Sequence, residues 1–395
     1  MSIEAAWRRL FRQTVSVPGN RVRLLAGGAT FFPALLAALD AARHEIHLET
    51  YIFNVDPAGA AVRDALVRAA RRGVTVRLMI DGVGGRDFPV AWRAQLEAAG
   101  VAVLIYRPPV TGWRFRPASL RRLHRKIAVV DAQVAFVGGI NLIDDYEPVR
   151  LAQPRLDFSV EIRGPLLAHI HANTRHLWRL VALTQLKSPL RDPVIDPVWP
   201  TDGRVRAAFL VRDNLAHRRD IERSYLAALA LARHEIVLAN AYFLPGRRFR
   251  TLLKKAAQRG VRVCLLVQGH TDHRFFQTAA RALYGDLLAA GITVHEHHAS
   301  ELHAKVAVVD GEWATVGSSN IDPLSLLMAR EANIVVHDAG FAGELRAALA
   351  DALDAAPRLD PHHWQHRPWF KRILSWVAYG VVRGIVGLVG GRRWA

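Results

Sequence analysis

The chain repeats itself, and this repeat constrains the fold more than any other feature of the sequence. Ala69–Gly82 (AARRGVTVRLMIDG) aligns with Ala256–Gly269 (AAQRGVRVCLLVQG) at an offset of 187 residues. Ala98–Val103 aligns with Ala289–Val294 at an offset of 191 residues, and the stretch ARHEI also occurs twice. Near-constant offsets through three blocks indicate a duplicated unit. The chain is therefore expected to fold as two similar halves.

Each half alternates helix-length periodic segments with short β-branched runs, which predicts an α/β fold with a mixed β-sheet flanked by helices in each half. Four prolines between residues 187 and 203 exclude a regular helix or a central strand there, so this segment is the predicted linker. The predicted organisation is a basic amphipathic N-terminal segment (1–19), a first lobe (20–186), the linker (187–203), a second lobe (204–355) and a basic aromatic tail (356–395).

One motif occurs once in each half. It reads H-x-K-x4-D-x6-G-[GS]-x-N, and the two copies start 179 residues apart. The chain has only six lysines, and two of them occupy this one motif position, which makes a chance match implausible. The first copy consists of His124, Lys126, Asp131, Gly139 and Asn141, and the second of His303, Lys305, Asp310, Ser318 and Asn320.

The motif spacing separates two groups of side chains. Residues two apart on a strand share a face, so each histidine projects together with its lysine. Asp131 and Asp310 complete the catalytic motif but lie seven residues after the histidine, so we expect them to anchor a turn or to pair with a distant cation. The asparagines Asn141 and Asn320 and the hydroxyl of Ser318 are expected beside the histidines, where they would bind phosphate.

Histidine, lysine and asparagine make a poor metal site but a good site for a phosphodiester, so neither a metal nor another cofactor is expected. Lysine and asparagine stabilise the extra negative charge of five-coordinate phosphorus. Neutral imidazole can attack phosphorus, and imidazolium can protonate the leaving oxygen. One copy cannot do both, whereas two copies that face each other can.

A nucleophilic histidine also needs an acceptor for its second nitrogen. Glu331 follows His303 by 28 residues, and Asp157 follows His124 by 33 residues, so these carboxylates are the predicted orienting groups, each counted from the histidine of its own copy. The alternative is that both are ordinary surface acids.

The duplicated motif resembles that of the phospholipase D superfamily. The stretch from Arg212-Asp213-Asn214 to Glu331-Ala332-Asn333 is similar to bacterial cardiolipin synthases of the short type, and the resemblance covers residues 20–350. It implies two lobes related by a pseudo-twofold axis, with one active site at their interface, a covalent phosphohistidine and no metal. It also implies that His124 is the nucleophile and that His303 acts as acid and then as base. Gly139 replaces the serine of the superfamily pattern.

The charge and the C-terminal tail bear on the substrate. Lysine and arginine exceed aspartate and glutamate by 53 − 35 = 18, which suits either nucleic acid or an anionic membrane. Ile373–Val389 is apolar, has basic residues on both flanks and contains Trp376, Tyr379 and a single charge, Arg383. As a helix it would reach only ~26 Å, less than the ~30 Å of a bilayer core, so it is predicted to lie in the membrane interface. The alternative is a helix packed on the protein's own core.

These observations predict an enzyme that makes cardiolipin. One phosphatidylglycerol would donate its phosphatidyl group to His124 and release glycerol, and a second would attack that intermediate. The expected partners are anionic phospholipids, phosphatidylglycerol and cardiolipin, at the cytoplasmic side of a bacterial cell membrane, where the protein is peripheral. Nucleic acid is not expected, and no obligate protein partner is inferred. The alternative is a hydrolytic phosphodiesterase or nuclease of the same superfamily.

Overall fold

The computed structural model describes residues 16–108, 121–147, 153–187, 191–213, 217–269, 274–322 and 329–390. These residues form a mixed α/β fold, as the sequence predicts. The first half contains β1 (Ser16–Ala26), α1 (Gly28–Ala41), β2 (Glu45–Thr50), α2 (Pro57–Arg71), β3 (Thr75–Asp81), α3 (Val90–Ala98), β4 (Ala102–Tyr106), β5 (Arg122–Leu123), β6 (Lys126–Val130), β7 (Val134–Gly138), β8 (Phe158–Arg163) and α4 (Leu167–Thr184).

The second half repeats this order closely. It contains β9 (Val205–Arg212), α5 (Asp220–Leu231), β10 (Glu235–Asn240), α6 (Arg247–Gln258), β11 (Arg262–Gln268), α7 (Arg274–Ala289), β12 (Thr293–His297), β13 (Lys305–Val309), β14 (Trp313–Gly317), β15 (Ala329–His337), α8 (Ala339–Ala355), α9 (Pro361–Gln365) and α10 (Trp369–Gly390).

A single sheet runs through both halves. Its strand order is β12-β11-β10-β13-β14-β15-β9-β1-β8-β7-β6-β2-β3-β4, and β5 lies off this path, paired with β15. β1 and β9 pair antiparallel at the centre. Outward from this pair, equivalent strands of the two halves follow in the same sequence on either side. The halves are thus related by a pseudo-twofold axis at the β1–β9 pair.

The repeated Arg-Gly-Val turn explains why the same elements form twice. Gly73 and Gly260 have φ angles of 90° and 89°, a left-handed conformation that glycine adopts without strain. Each glycine ends a helix, α2 or α6, and a parallel strand follows, β3 or β11. These strands are almost wholly buried, as expected where helices cover both faces of a parallel pair.

The core joins the halves as well as filling each of them. One buried cluster belongs to the first half, and another belongs to the second half. A third contains Val129 and Val160 of the first half together with Val308 and Ile334 of the second. Hydrophobic burial therefore stabilises the two halves as one unit.

The segments outside the lobes differ in part from expectation. Of the predicted N-terminal segment, residues 1–15 lie outside the described residues. Residues 16–19 belong to β1, where Ser16 and Val17 pair with β9. In the linker, residues 191–203 form neither helix nor strand. Asp192 accepts a hydrogen bond from Arg77 at 2.9 Å, and Trp199 donates to the carbonyl of Ala132 at 3.0 Å, so the linker is fixed to the first half.

The C-terminal helix packs on the protein along one face only, and its predicted place in the membrane interface stays a prediction. α10 spans Trp369–Gly390, and its small buried residues Ser375, Ala378 and Val382 pack towards α7. Large apolar side chains on its other faces are exposed. Among the described residues, no helix has the length and the apolar character needed to cross a membrane.

Candidate active site

The two motif histidines lie at the junction of the halves, each just before its strand rather than within it. The backbone N–H of His124 donates to the carbonyl of Arg330 at 2.9 Å, and the N–H of His303 donates to the carbonyl of Leu156 at 2.9 Å. Each histidine is therefore hydrogen-bonded to the opposite half of the chain. The reason is topological, because β5 of the first half pairs with β15 of the second, and Leu156 of the first half bridges to Leu302 of the second.

The carboxylates pair with the histidines across the halves. His124 Nδ1 donates to both oxygens of Glu331, at 3.0 and 3.1 Å, and His303 Nδ1 donates to Asp157 Oδ2 at 2.5 Å. The alternative that these acids are ordinary surface residues is wrong, since Glu331 is 0% and Asp157 1% exposed. The assignment of each carboxylate to the histidine of its own copy is also wrong. Glu331 directly follows Arg330, whose carbonyl accepts from the N–H of His124. Asp157 directly follows Leu156, whose carbonyl accepts from the N–H of His303.

The two carboxylates differ in proton affinity. Burial raises the pKa of Glu331, but His124, Arg212 and Lys126 outweigh burial and bring the net pKa below its ordinary value. Burial raises the pKa of Asp157 to about 6, although Lys305 opposes this effect. As the pH increases, Asp157 therefore releases its proton later than Glu331. Burial lowers the pKa of His124, and burial together with Lys305 lowers the pKa of His303 well below its usual range. An additional proton taken up by the second pair therefore resides on Asp157, whereas Glu331 stays ionised beside His124.

Two buried lysines accompany the histidines. Lys126 Nζ donates to the carbonyl of His124 at 2.6 Å, and Lys305 Nζ donates to the carbonyl of His303. Burial lowers the pKa of Lys126 to about 7, and Lys305 lowers it further; burial lowers the pKa of Lys305 to about 8. Glu331 and Asp157 offset this effect only in part. The arrangement favours a bound phosphate, which would raise both pKa values.

The motif position that differs between the two copies, Gly139 and Ser318, lies against the carboxylates Asp157 and Glu331. The hydroxyl of Ser318, predicted to bind phosphate, is buried and donates to Glu331 Oε2 at 2.5 Å. At the equivalent Gly139, a Cβ would lie only 2.1 Å from Asp157 Oδ1. The first copy thus combines glycine with the close approach of an aspartate, and the second combines serine with a glutamate.

The asparagines follow the strands next to the motif strands. Gly138 pairs with Lys126 across β6 and β7, so the chain returns towards the lysine before it reaches Asn141. Asn141 Oδ1 accepts from the N–H of Ile52 at 3.2 Å, and no described residue accepts from its Nδ2. Asn320 is 5% exposed, and no described residue donates to its Oδ1. Both amides therefore retain unused hydrogen-bonding capacity near the histidines.

Asp131 and Asp310 lie at the other end of the motif strands and do not contact the histidines. Asp131 accepts from the N–H groups of Arg43, His44 and Glu45, each at 2.8 Å. Asp310 accepts in the same way from residues 233–235. A direct catalytic role for the two aspartates does not fit this geometry. The expected role of anchoring a turn fits it. The two aspartates hold the backbone in place where the chain begins β2 and β10.

Several residues at the site carry no motif signal. Tyr51 stacks edge-on against His124, with ring centroids 4.9 Å apart, and the Nζ of Lys126 lies 5.4 Å from the tyrosine ring centroid. Asp81 accepts from the N–H of Leu123 at 2.7 Å, and Gln268 accepts from the N–H of Leu302 at 2.6 Å. Asp81 and Gln268 occupy equivalent positions of the repeat, so the internal alignment could have identified them. Ala241 stands opposite Tyr51 in the repeat, so Tyr51 offered no such signal.

A second cluster of titratable groups lies away from the histidines. Ligand atoms of Glu45, His47 and His171 are within 4.8 Å of one another, an arrangement that could hold a metal ion. Arg77 and Arg175 both donate to the Glu45 carboxylate, at 3.0 and 2.9 Å. Two guanidinium groups already supply the positive charge that a metal would bring, so the cluster is better described as a buried ion network.

Comparisons with known proteins agree with this geometry. A family model described as "Cardiolipin synthase, PLD-like domain" matches residues 35–148 and 225–352. The chain is 37% identical over 383 residues to cardiolipin synthase B of Escherichia coli K12, covering 94% of this chain and 90% of that protein. It is 29% identical over 368 residues to cardiolipin synthase A of Klebsiella pneumoniae, covering 92% of this chain and 75% of that protein.

Solved structures share the fold at low sequence identity. Phosphatidylserine synthase of Haemophilus influenzae Rd KW20 superimposes with a TM-score of 0.72 at 13% identity, covering 98% of this chain and 99% of that one. Polyphosphate kinase of Porphyromonas gingivalis has a TM-score of 0.57 at 16% identity, covering 96% of this chain and 56% of that one. These likenesses concern the arrangement of the chain alone.

Proposed function

We propose a reaction for this chain from the premise that it belongs to the cardiolipin synthase family with phospholipase D-like domains. The enzyme transfers the phosphatidyl group of one phosphatidylglycerol to another, which gives cardiolipin and glycerol. The observation that carries this proposal is the pair of histidine–carboxylate contacts that cross between the halves, with two buried lysines beside them.

In the first step, His124 Nε2 attacks the phosphorus of the donor. The bond between phosphorus and the glycerol oxygen breaks, and that oxygen takes a proton from His303. In the second step, the headgroup hydroxyl of another phosphatidylglycerol attacks the phosphorus and gives its proton to His303. The phosphorus–nitrogen bond then breaks, cardiolipin leaves and His124 is regenerated. Proton transfer of this kind contributes roughly 10²–10⁴-fold to the rate.

The unequal carboxylates support this division of roles. Ionised Glu331 keeps the Nδ1 proton of His124 in place, so Nε2 presents a lone pair. An additional proton on the Asp157–His303 pair resides on Asp157, because burial raises the pKa of Asp157 to about 6 and lowers the pKa of His303. Two titrating pairs whose environments push their pKa values apart suit one nucleophile and one acid.

The remaining motif residues stabilise the transition state in this proposal. Lys126 and Lys305 neutralise charge at the equatorial phosphate oxygens in a buried site, where a charge interaction is stronger than in water. Asn141 and Asn320 donate from their amides to the same oxygens. Ser318 orients Glu331 rather than binding phosphate. Asp131 and Asp310 act only by fixing the motif strands.

The proposed location is the cytoplasmic surface of a bacterial cell membrane, with the chain held there peripherally. Exposed apolar side chains on α10 favour the membrane interface, and the net charge of +18 favours an anionic leaflet. The substrate and the product are both anionic phospholipids, so the active chain works at such a surface.

Vesicles that contain phosphatidylglycerol labelled with ³²P test the proposal. The wild-type protein should form labelled cardiolipin and a transient protein-bound label that is labile in acid and stable in base, as a phosphohistidine is. His124→Ala and His303→Ala should each lower turnover on the order of 10⁴-fold or more, and His124→Ala should carry no label. His44→Ala, a change at an exposed histidine, is the matched control and should leave turnover unchanged.

Two results would contradict the proposal. Labelled phosphatidic acid as the sole product would make the protein a hydrolase, with water as the acceptor. Substantial synthesis by either active-site variant would exclude the two-histidine mechanism.

A further inference from the structure

An open cavity of about 500 Å³ lies outside the active site, where α7, α9 and α10 meet. Four cationic side chains line it, and Trp364 and Asp360 also contribute to its wall. The four cations are Arg281, Arg358, Arg367 and Lys371. Its size is that of an ordinary small-molecule site.

The cavity carries more positive charge than its own acids neutralise. Glu296 pairs with Arg281 through two hydrogen bonds, at 3.0 and 2.9 Å. The Asp360 carboxylate accepts hydrogen bonds from the backbone N–H groups of residues 362 and 363 at the start of α9. Among the described residues, Arg358, Arg367 and Lys371 have no ion-pair partner within 4.0 Å. Asp360 keeps its negative charge and Glu296 offsets Arg281, so four cations and two carboxylates leave an excess of 4 − 2 = 2 positive charges to attract an anion.

Arg367 is the best-positioned of these cations. Its guanidinium carbon lies 3.5 Å from the ring centroid of Trp364, and Trp364 in turn packs against Tyr284 of α7 at 5.5 Å between ring centroids. The Arg367 Nε is buried and has no hydrogen-bond partner among the described residues. The ring contact holds the planar guanidinium in one orientation, and a guanidinium held in this way suits a phosphate through its terminal nitrogens.

The neighbouring helix indicates where that phosphate comes from. On α10, the face with small side chains is buried against the protein, and the face with large apolar side chains is exposed, which reverses the usual pattern of a surface helix. The exposed apolar residues are 44–72% accessible and comprise Trp369, Phe370, Ile373, Leu374, Trp376, Val377, Val381 and Ile385. Lys371 lines the cavity from the first turn of this same helix. The basic cavity and the apolar face are therefore continuous.

We propose that this cavity binds the phosphate of an anionic phospholipid in the bilayer surface while the exposed face of α10 enters the headgroup region. Apolar burial and charge attraction then act on the same helix, a combination that holds interfacial helices to anionic membranes. The inference rests on the proposed function only in taking the substrate to be a membrane lipid. The bound lipid at this site is not turned over, because the cavity contains neither motif histidine.

Co-sedimentation of the full chain with vesicles tests the site. The triple variant Arg358→Gln, Arg367→Gln and Lys371→Gln should bind phosphatidylglycerol-containing vesicles roughly a hundredfold more weakly, at about fivefold for each charge. The matched control Arg43→Gln, Arg71→Gln and Arg247→Gln makes the same change in net charge at exposed positions elsewhere, and its affinity should fall less than tenfold. Replacing Arg358 and Arg367 by lysine keeps the charge but removes the stacked guanidinium, so binding should fall several-fold yet stay well above that of the triple glutamine variant.

Turnover in solution separates this inference from the proposed reaction. The cavity variant should process monomeric short-chain phosphatidylglycerol at the wild-type rate, while it loses activity on vesicles. His124→Ala should behave in the opposite way and bind vesicles normally without turnover. A variant that fails with the soluble substrate as well would place the cavity in the active site and overturn the inference.

Two further results would also overturn it. Equal losses of vesicle binding in the cavity variant and in the matched control would show attraction by diffuse charge rather than by a site. Binding of inorganic phosphate to the wild-type chain but not to the cavity variant, together with equal vesicle binding by both, would identify a free-anion site instead of a lipid site.

Discussion

Gly139 and Ser318 occupy the same motif position, and the difference between them follows from the carboxylate that each one faces. Ser318 donates to Glu331, whereas the missing side chain of Gly139 leaves room for Asp157. The residue type at the motif position therefore depends on the carboxylate beside it: glycine with Asp157 and serine with Glu331. The shorter aspartate reaches its histidine only because the glycine allows it to approach the backbone closely.

The variant Gly139→Ser tests this dependence. Its new Cβ would lie 2.1 Å from Asp157 Oδ1, so the carboxylate must shift away from His303. A displacement of about 1 Å in a catalytic group costs on the order of 100-fold in rate, and we expect at least that loss of kcat in the labelled-lipid assay. Ser318→Gly, the reverse change at the matched position, introduces no clash and should lose less activity. Unchanged kcat in Gly139→Ser, in a protein that melts at the wild-type temperature, would exclude this account.

Much of the site at this scale is predictable from the sequence. Strand parity separates the histidine and lysine from Asp131 and Asp310, and the structure places those aspartates at the far strand ends. The cross-pairing of Glu331 and Asp157 is not predictable, because it depends on which strands of the two halves become neighbours. Tyr51 has no counterpart in the repeat, so comparison of the two copies does not reveal it.

At the scale of elements, the repeat predicts the strands well. It does not predict which ion pairs hold β2 in the first half and β10 in the second. Arg77 of β3 is equivalent to Cys264 of β11 in the repeat. In the first half, buried Arg77 bonds to Glu45 of β2 and to Asp192 of the linker. In the second half, Glu235 pairs instead with Arg346 and Arg262, both more exposed. Within the described part of the chain, the buried ion network that ties the sheet to the linker therefore belongs to the first half alone.

Removing Arg77 should destabilise the protein strongly. Arg77→Met leaves the Glu45 charge buried with less compensation, and such losses amount to about 3–5 kcal/mol of unfolding free energy. Urea denaturation measures the change. The double variant Arg77→Met with Glu45→Gln removes both charges and should recover part of that stability. Arg93→Ala, which breaks an exposed pair with Glu97 on α3, is the control and should change stability by less than about 1 kcal/mol. A small effect of Arg77→Met would show that the network contributes little.

At the scale of the whole molecule, the two copies meet because β1 and β9 pair at the centre of one sheet. Neither strand contains a motif residue, and their pairing joins positions almost 200 residues apart in sequence, so local patterns carry no signal for it. The duplicated motif predicts two facing half-sites. The continuous sheet and the shared core cause them to face each other within a single chain.

A mixing experiment follows from this arrangement. Chains with His124→Ala retain His303, and chains with His303→Ala retain His124, so an exchange of halves between chains would restore complete sites. We expect no restoration when the two native variants are mixed in equal amounts and assayed on labelled phosphatidylglycerol vesicles, because the β1–β9 pair and the buried core hold both half-sites in each chain. A mixture of wild-type protein with the doubly substituted chain controls for crowding of the vesicle surface. Its activity should equal that of the wild-type protein in the mixture assayed alone. Activity well above the sum of the separate variants would mean that sites form between chains, and it would require the two halves to separate and re-pair on the time scale of the assay.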